Sequence, residues 1–141
     1  MHLDGYNQLP YLLGQQPKGT RNEFYYFNDD AELVAMRYDV LEPRATSSTA
    51  WKIVFCEQRQ PGQLDVWATP FTCLRAPRMF NLRMDPFEHA QISGAEYDEW
   101  RNDNGYVAFE GIKRTAAFLQ TFVEYPPSQS PASFSIDQIV E

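Results

Sequence analysis

Apolar and polar positions alternate with a strand-like period in the first half of the chain and with a helix-like period near its C-terminal end. Residues 23–27 form a dense aromatic segment, and Trp51, Ile53 and Phe55 fall on one face at strand spacing. Strands are therefore predicted, in chain order, over Glu23–Phe27, Leu33–Tyr38, Trp51–Cys56, Leu64–Trp67 and Met79–Leu82. The fourth is a weak strand or extended edge, and the last is short.

Turn and proline signals separate these strands. Asn28-Asp29-Asp30 predicts a hairpin turn, and Val40–Ala50, with Pro43 and a run of serine and threonine, predicts a surface loop. Pro70 and Pro77 predict an irregular stretch before the last strand, because proline cannot donate a hydrogen bond to a sheet ladder.

Two shorter helical signals precede the main one. Leu9–Leu13 predicts a helical turn that stops at Gly14. Tyr97–Trp100 predicts the start of a helix, which Asn104-Gly105 interrupts.

A long amphipathic helix is predicted from Tyr106 to the Pro126-Pro127 pair, which ends it. Its buried stripe, widened by Phe118 and Phe122, is expected to hold the apolar residues that recur every three or four positions: Ala108, Ile112, Ala116, Leu119 and Val123. Gly111 inside this helix costs about 1 kcal/mol relative to alanine, so the helix is expected to depend on tertiary packing.

The order of these elements predicts the fold class. The linkers between the strands are too short or too polar for the crossover helices that parallel strands need. The expected fold is α+β: a small antiparallel sheet of about four strands with a long C-terminal helix packed across one face.

The composition argues against two classes of partner. The 141 residues carry 12 basic and 19 acidic side chains, and the resulting net charge of −7 argues against binding to a phosphate backbone. A mean hydropathy of −0.51 and the lack of an apolar run near roughly 20 residues argue against a membrane-spanning protein. We expect one ordinary domain that binds neither nucleic acid nor membrane.

The two cysteines leave the compartment open. Cys56 and Cys73 lie among apolar residues, where cysteine commonly packs as a small hydrophobic side chain, and a disulfide between them is allowed but not required. Residues 1–6 show neither the basic nor the apolar region of a signal peptide. The localisation is therefore not predicted.

Motifs for nucleophilic or metal chemistry are absent from the sequence. The two histidines, His2 and His89, stand in no metal-binding spacing, and both are interpreted as surface residues, with His89 near a helix end. No Gly-x-Ser-x-Gly motif and no glycine-rich phosphate loop occurs. The sequence accordingly predicts no catalytic, cofactor-binding or metal-binding residue.

Acidic and aromatic clusters are interpreted structurally, with a chemical alternative for two of them. Asp29-Asp30 is the tip of a hairpin, and a metal site there is the less favoured alternative. Asp85-Pro86-x-Glu88 is a helix start whose three named residues occupy the N-cap, N1 and N3 positions. The aromatic residues 24–27 are expected in the core, and the alternative is a sugar-stacking platform.

Segments along nearly the whole chain resemble, in order, the C-terminal part of the arylsulfatases. Asp4–Gly14 resembles the segment that leaves their catalytic domain, and Arg21–Phe27 resembles the first strand after it. Trp51–Phe55 and Phe80–Glu88 are similar to later strands and to the family's Asn-Leu-x-x-Asp-Pro-x-Glu turn. Pro131–Asp137 resembles the ends of bacterial arylsulfatases.

The resemblance implies a division of the chain. Residues 1–22 are the linker that leaves the catalytic domain, and residues 126–141 are a Pro/Ser-rich tail. Residues 23–125 are the sulfatase C-terminal α+β domain, in the family a four-stranded antiparallel sheet with a helix across it. Val40–Ala50 is a surface insertion, since the family usually has a tight connection there, and a longer surface loop costs little closure entropy.

The implied activity, hydrolysis of sulfate esters, belongs to a separate catalytic domain. In the family that domain resembles alkaline phosphatase, binds calcium or magnesium, and carries a formylglycine made in a Cys/Ser-x-Pro-x-Arg motif. Neither Cys56 nor Cys73 is followed by proline two residues later, and no serine fits the motif. No cofactor is expected in this chain, no catalytic residue is carried over, and the isolated chain is expected to be inactive.

The expected function is the structural role of an arylsulfatase C-terminal domain, which completes the enzyme's core and frames its substrate cleft. Its expected partner is the catalytic domain. Without that domain, the surface around Leu9, Tyr11, Leu12 and part of the aromatic strands is expected to be exposed and to drive homo-oligomer formation.

The alternative function is that of a stand-alone ligand-binding module with the same fold. In that case Tyr25, Tyr26 or Trp67 would respond to sulfated glycans. A small independent enzyme is disfavoured because the sequence offers no nucleophile–base pair.

Overall fold

Four strands form one antiparallel sheet, and a long helix lies across one of its faces. The computed structural model describes residues 5–40, 48–58, 68–126 and 128. The strands are β1 (Glu23–Phe27), β2 (Leu33–Val40), β3 (Thr49–Glu57) and β4 (Thr72–Asn81). They lie in the order β1-β2-β3-β4, so that each strand pairs with its neighbour in the chain. The predicted α+β class is confirmed.

The helices follow the sheet, apart from one short turn that precedes it. They are α1 (Leu9–Leu12), α2 (Ala90–Ser93), α3 (Tyr97–Asp103) and α4 (Gly105–Gln120), with a 3-10 turn at Thr121–Val123. The predicted interruption at Asn104-Gly105 is confirmed as the junction of α3 and α4. Within the described ranges, no helix is long and apolar enough to cross a membrane.

The β1–β2 hairpin turns at the predicted place, and Asn28 stabilises it. Asn28 Oδ1 accepts hydrogen bonds from the backbone amides of Asp30 at 3.1 Å and Glu32 at 2.9 Å. Ala31 takes the left-handed conformation, with φ of 61°. Asp29 and Asp30 therefore lie at the tip of a hairpin, as interpreted from the sequence.

The prediction of an irregular stretch around Pro77 is wrong, because β4 is ten residues long and includes this proline. β4 is an edge strand, where a missing amide donor is tolerated. Pro77 also lies in a bulge, since Val54 pairs with Arg78 whereas Cys56 pairs with Cys73. The last strand therefore begins seven residues earlier than predicted, at residue 72 instead of 79.

Several sequence predictions fall wholly or partly outside the described residues. The loop predicted over Val40–Ala50 is shorter than expected, because Val40 ends β2 and Thr49 begins β3. Residues 41–47 between them, the weak strand predicted over Leu64–Trp67 and the tail from residue 129 onward lie outside the description.

Cys56 and Cys73 face each other across β3 and β4 and form a disulfide, with their Cα atoms 3.9 Å apart. The sequence left open the choice between a bridge and two reduced cysteines. The bridge joins the last two strands of the sheet directly at the bulge.

The core lies between the sheet and α4. Its fully buried residues are at most 3% exposed: Met36, Tyr38, Trp51, Ile53, Met79 and Val107. Tyr25 stacks on Phe118 with ring centroids 3.9 Å apart, and the Tyr38 hydroxyl donates a 2.7 Å hydrogen bond to the Val107 carbonyl. The prediction that Trp51 and Ile53 share a buried face is confirmed.

α4 buries a face that overlaps only in part with the predicted one. Of the predicted residues, Ala108 packs against the core and Phe118 stacks on Tyr25. Its buried positions are Val107, Gly111 and Thr115. In the predicted stripe, by contrast, Ile112 is 43% exposed, Leu119 is 42% exposed and Val123 is 90% exposed. For Ile112, Leu119 and Val123 the prediction was wrong because it ranked positions by hydrophobicity, whereas small side chains occupy the closest contact with the sheet.

Gly111 is the point of that close contact. A Cβ atom added there would lie 2.9 Å from Ile53 Cγ1, 3.3 Å from Met36 Sδ and 3.4 Å from Tyr38 Cε1. A helix must expose its backbone to approach a packed sheet this closely, and only glycine does so. The cost of a mid-helix glycine is therefore offset by packing.

The N-terminal segment runs beside the start of β1. Gly14 follows α1 in the left-handed conformation, with φ of 69°, as the predicted helix stop requires. The Tyr6 hydroxyl donates a 3.3 Å hydrogen bond to Glu23, and the Thr20 hydroxyl donates a 3.1 Å bond to the Asn7 carbonyl. Three leucines of this segment are exposed: Leu9 (58%), Leu12 (74%) and Leu13 (60%).

We expect the protein to lose stability at alkaline pH because of two tyrosines that lie between the sheet and α4. Burial, followed by nearby Glu23, raises the pKa of Tyr25 to about 12, and burial, followed by nearby Glu110, raises the pKa of Tyr38 to about 12. In the unfolded chain tyrosine titrates near pH 10. Their contribution to stability is therefore complete below about pH 10 and is lost as the pH rises from about 10 to about 12.

Urea unfolding at about pH 9 and about pH 11 measures this loss, on either side of the unfolded-state pKa. The control is the variant Tyr25→Phe/Tyr38→Phe, in which we expect a smaller difference between the two pH values. An equal difference in the variant and the original protein would show that other groups cause the alkaline loss.

Candidate functional site

An apolar cavity of about 410 Å³ lies between the end of β4, the turn that follows it, and helices α2 and α3. This volume falls within the usual range of small-molecule sites. Aromatic and methionine side chains form most of its wall: Met79, Phe80, Met84, Tyr97 and Trp100. Two carboxylate residues, Asp85 and Glu96, also line it.

Tyr97 fixes one wall of the cavity by joining α3 to β4. Its hydroxyl donates to the Met79 carbonyl at 3.1 Å and accepts from the Met79 amide at 3.0 Å. Burial raises the pKa of Tyr97 and outweighs the lowering effect of the Met79 hydrogen bond. The hydroxyl is therefore a neutral structural group that is already occupied by the backbone.

Trp100 forms the base of the same wall. It stacks on Trp51 with ring centroids 5.7 Å apart and contacts the Tyr97 ring at 5.9 Å. The Asn104 side chain donates a 2.8 Å hydrogen bond to the Trp100 carbonyl at the end of α3. The aromatic wall is thus continuous with the core and positioned by it.

Asp85 holds the turn that borders the cavity. Its carboxylate accepts hydrogen bonds from the backbone amides of His89 at 3.0 Å and Ala90 at 2.8 Å. The prediction that Asp85 is the N-cap residue is wrong, because the helix begins at Ala90 with His89 as its N-cap, although the Asp85 carboxylate does cap the amides at this helix start. The prediction that Pro86 and Glu88 occupy the N1 and N3 positions is wrong, because residues 86–88 form a separate turn.

Glu88 has a different role from the predicted one. It adopts the left-handed conformation, with φ of 59°, and its carboxylate lies 2.7 Å and 2.9 Å from Lys52 Nζ. Lys52 Nζ also lies over the Tyr26 ring, 5.1 Å from its centroid. The ion pair therefore ties the turn to the face of the sheet opposite α4.

Removing the Asp85 carboxylate is expected to destabilise this turn. Desolvation raises the pKa of Asp85, but the amide hydrogen bonds from Ala90 and His89 outweigh it and leave the pKa below its usual value. The stabilisation is therefore present above the unfolded-state pKa and lost as the pH falls through the lower folded-state value. Asp85→Ala should cost about 1 kcal/mol near neutral pH, as for other capping residues.

Chemical denaturation of Asp85→Ala and Asp85→Asn near neutral pH checks this expectation. Asparagine keeps one acceptor oxygen, so Asp85→Asn should lose less stability than Asp85→Ala. Equal stability of all three proteins would contradict a capping role for the carboxylate.

The cavity has the size and the apolar lining to bind an apolar or aromatic group. Its lining offers two carboxylates and a phenol and includes no serine, cysteine, histidine or lysine. In the part of the chain that the structure describes, no group of three or more His, Cys, Asp and Glu residues could hold a metal ion. The geometry is that of a binding cavity.

The structure separates the aromatic residues that the sequence grouped. Tyr25 faces α4 and stacks on Phe118, whereas Tyr26 faces Lys52 on the other side of the sheet. Phe24 contacts Tyr26 edge-on at 4.9 Å. Tyr25 and Tyr26 therefore cannot form one stacking platform. The expectation that residues 24–27 all lie in the core is wrong, because Phe24 is 48% exposed and Phe27 is 41% exposed.

The remaining candidate residues that the structure describes do not line the cavity. His89 is exposed at the N-cap of α2, as interpreted, and Asp29-Asp30 lies in the β1–β2 turn. His2 and Trp67 lie outside the described residues. The sequence did not predict the cavity, and the available signal was the pair Tyr97 and Trp100, which lie three residues apart at the predicted helix start.

Comparison of the chain with family models, with curated proteins and with solved structures found no match. The fold, the cavity and the exposed surfaces are thus the structural observations from which a function is inferred. The sequence motifs described above add the resemblance to arylsulfatases.

Proposed function

We propose that this chain is the C-terminal domain of an arylsulfatase-like sulfate ester hydrolase and that its role is structural. The observation that carries the proposal is the architecture: a four-stranded antiparallel sheet with α4 across one face. This is the layout that the motif resemblance implies for the family's smaller domain. The motifs and the fold support the same assignment.

In this proposal the chemistry lies in the catalytic domain, together with the formylglycine and the calcium or magnesium ion. No residue of this chain is assigned a catalytic or metal-binding role.

The N-terminal segment is the surface that we assign to the catalytic domain. Leu9, Leu12 and Leu13 expose more than half of their surface on, or directly after, a helical turn of only four residues. An isolated helix of this length is not stable in water, so its position depends on contacts with the rest of the protein. A cluster of exposed leucines at the connection to another domain fits a docking surface.

The first test is the coding sequence upstream of the Met1 codon. An open frame that continues into a Cys/Ser-x-Pro-x-Arg segment supports the proposal, and an in-frame stop directly before Met1 contradicts it. The upstream half is then expressed separately and assayed for aryl sulfate hydrolysis with and without this chain. We expect activity only in the mixture, and turnover by this chain alone would overturn its structural role.

The docking surface is tested in the same assay with Leu12→Glu, for which we expect weaker restoration of activity. The matched control is Ile92→Glu, since Ile92 on α2 is 79% exposed and Leu12 is 74% exposed. Equal restoration by both variants would show that the N-terminal segment is not the docking surface.

The second candidate function is a stand-alone ligand-binding module, which the aromatic cavity beside Trp100 favours. Fluorescence titration with sulfated glycans and with an apolar dye measures binding, and Met84→Glu at the 78% exposed rim of the cavity is the test variant. Saturable binding that Met84→Glu weakens supports this function. A fluorescence signal that neither ligand changes contradicts it.

A further inference from the structure

A second apolar stripe runs along the outer side of α4 and continues onto the 3-10 turn Thr121–Val123 that follows it. We call it the outer stripe, and it consists of Tyr106, Phe109, Ile112, Ala116, Leu119 and Val123. All six residues are exposed, and Tyr106, Phe109 and Val123 expose 63%, 76% and 90% of their surface. The face that α4 turns to the sheet is a different one, formed around Val107, Gly111 and Thr115.

The spacing of the outer stripe is that of a helix–helix seam. From Phe109 to Val123 its members are separated by three, four, three and four residues. This alternation corresponds to the a and d positions of a heptad, where side chains insert between those of a facing helix. The spacing therefore points to a helix as the occupant of this surface.

The same chain supplies a helix with a matching seam. In an antiparallel pair of α4 helices, Phe109 of one copy lies opposite Leu119 of the other, and Ile112 lies opposite Ala116. Large side chains then meet smaller ones, and the helix dipoles oppose each other favourably. A parallel pair would instead place Ala116 on Ala116 and Phe109 on Phe109, which leaves one layer loose and crowds another.

We propose that two copies of this chain associate through antiparallel packing of their outer stripes. The inference does not depend on the arylsulfatase assignment. It assigns homo-oligomer contacts to the outer stripe, whereas the sequence predicted them around Leu9, Tyr11, Leu12 and part of the aromatic strands. The two-fold arrangement also gives a closed dimer, since each copy uses the same residues.

The area of the stripe places this dimer among the smallest specific interfaces. At roughly 200 Å² for a large side chain, the exposed fractions amount to about 600 Å² in each copy. The pair would bury at most about 1,200 Å² in total, which is the lower limit for specific interfaces. The dimer is therefore weak and depends on protein concentration.

Contacts with the sheet fix the position of α4, and with it the outer stripe, already in the single chain. Packing at Gly111 and the hydrogen bond between Tyr38 and Val107 fix α4 before any partner arrives. Arg114 pairs with Glu110 at 2.9 Å and with Glu23 on β1 at 3.3 Å, which further restricts the helix. Association consequently costs little ordering of the backbone.

Sedimentation analysis of the full chain over a range of concentrations tests the proposal. We expect a monomer–dimer equilibrium that Phe109→Glu weakens at least about tenfold, equivalent to 1.4 kcal/mol. The control is Phe87→Glu, because Phe87 is 79% exposed and lies outside the stripe. A protein that stays monomeric at high concentration overturns the proposal, as does a dimer that Phe109→Glu leaves unchanged.

Cysteine cross-linking tests the antiparallel register. Positions 109 and 119 lie about 15 Å apart on one helix, too far for a disulfide within one chain. The double variant Phe109→Cys/Leu119→Cys should form cross-linked dimers under mild oxidation, and the single variant Phe109→Cys should not. Cross-linking of the single variant contradicts the antiparallel arrangement. Far-ultraviolet circular dichroism verifies that each variant is folded.

Discussion

Replacing Gly111 with valine is expected to lower the free energy of unfolding by about 3 kcal/mol, the upper end of the usual cost of overpacking a core. Even the first added carbon would lie 2.9 Å from Ile53 Cγ1, and the branched side chain adds two methyl groups to the same space. α4 would have to move away from Met36 and Tyr38 as well, which line the same contact. Urea denaturation followed by tryptophan fluorescence measures the loss.

Two alanine variants serve as controls for this result. Gly111→Ala gains about 1 kcal/mol of helix propensity but still crowds Ile53, so its net loss should be smaller than that of valine. Gly105→Ala, at the first position of α4, meets no atom within 4 Å and should be neutral or stabilising. If Gly111→Val matches the original protein in stability, α4 does not lie this close to the sheet.

The second large effect is expected from the disulfide between β3 and β4. Its two cysteines are 17 positions apart, and a bridge that closes a loop of this length restricts the unfolded chain by about 3 kcal/mol. The variant Cys56→Ser/Cys73→Ser should lose this amount of stability. It should unfold at a lower urea concentration than the oxidised protein.

Thiol counting and reduction complete that test. The protein unfolded without reductant should show no free thiol, and reduction should lower its stability to that of the serine variant. Two reactive thiols in the unreduced protein would contradict the bridge. The serine variant should be insensitive to reductant, which separates the effect of the bridge from other effects of the reagent.

The first three strands were predictable because their signals are local. β1 is a dense aromatic segment, apolar residues alternate at Trp51, Ile53 and Phe55 in β3, and polar residues at 28–30 mark the hairpin between β1 and β2. Each signal lies inside the segment that it describes, so no knowledge of tertiary contacts is needed. The class of the fold follows from the order of these segments.

The face of α4 was not predictable from hydrophobicity. Gly111 and Thr115 are buried because they are small. Whether a small residue stabilises such a position depends on the side chains of the sheet that face it. The more apolar positions Phe109 and Ile112 remain exposed. Similarly, Pro77 is compatible with β4 only because this strand lies at the edge and bulges there.

The cavity was not predictable either, because separate elements form it. Phe80 comes from β4, and Tyr97 and Trp100 come from α3. The Asp85 capping motif was visible in the sequence, but the pairing of Glu88 with Lys52, 36 residues away, was not. The local sequence therefore predicted the position of the turn but not the ion pair that attaches it to the sheet. The arylsulfatase resemblance and the homo-oligomer stay predictions that the experiments above decide.

The order of elements along the chain also determines the order in which they leave the ribosome. All three strand pairs join consecutive strands, so the sheet can assemble while synthesis continues. The helix that covers its core face, α4, begins only at residue 105. A nascent chain that ends before this helix presents Met36, Tyr38 and Ile53 to solvent, and such surfaces bind chaperones or other nascent chains. Residues from 105 onward thus supply the cover for an apolar face that the sheet presents as soon as it forms.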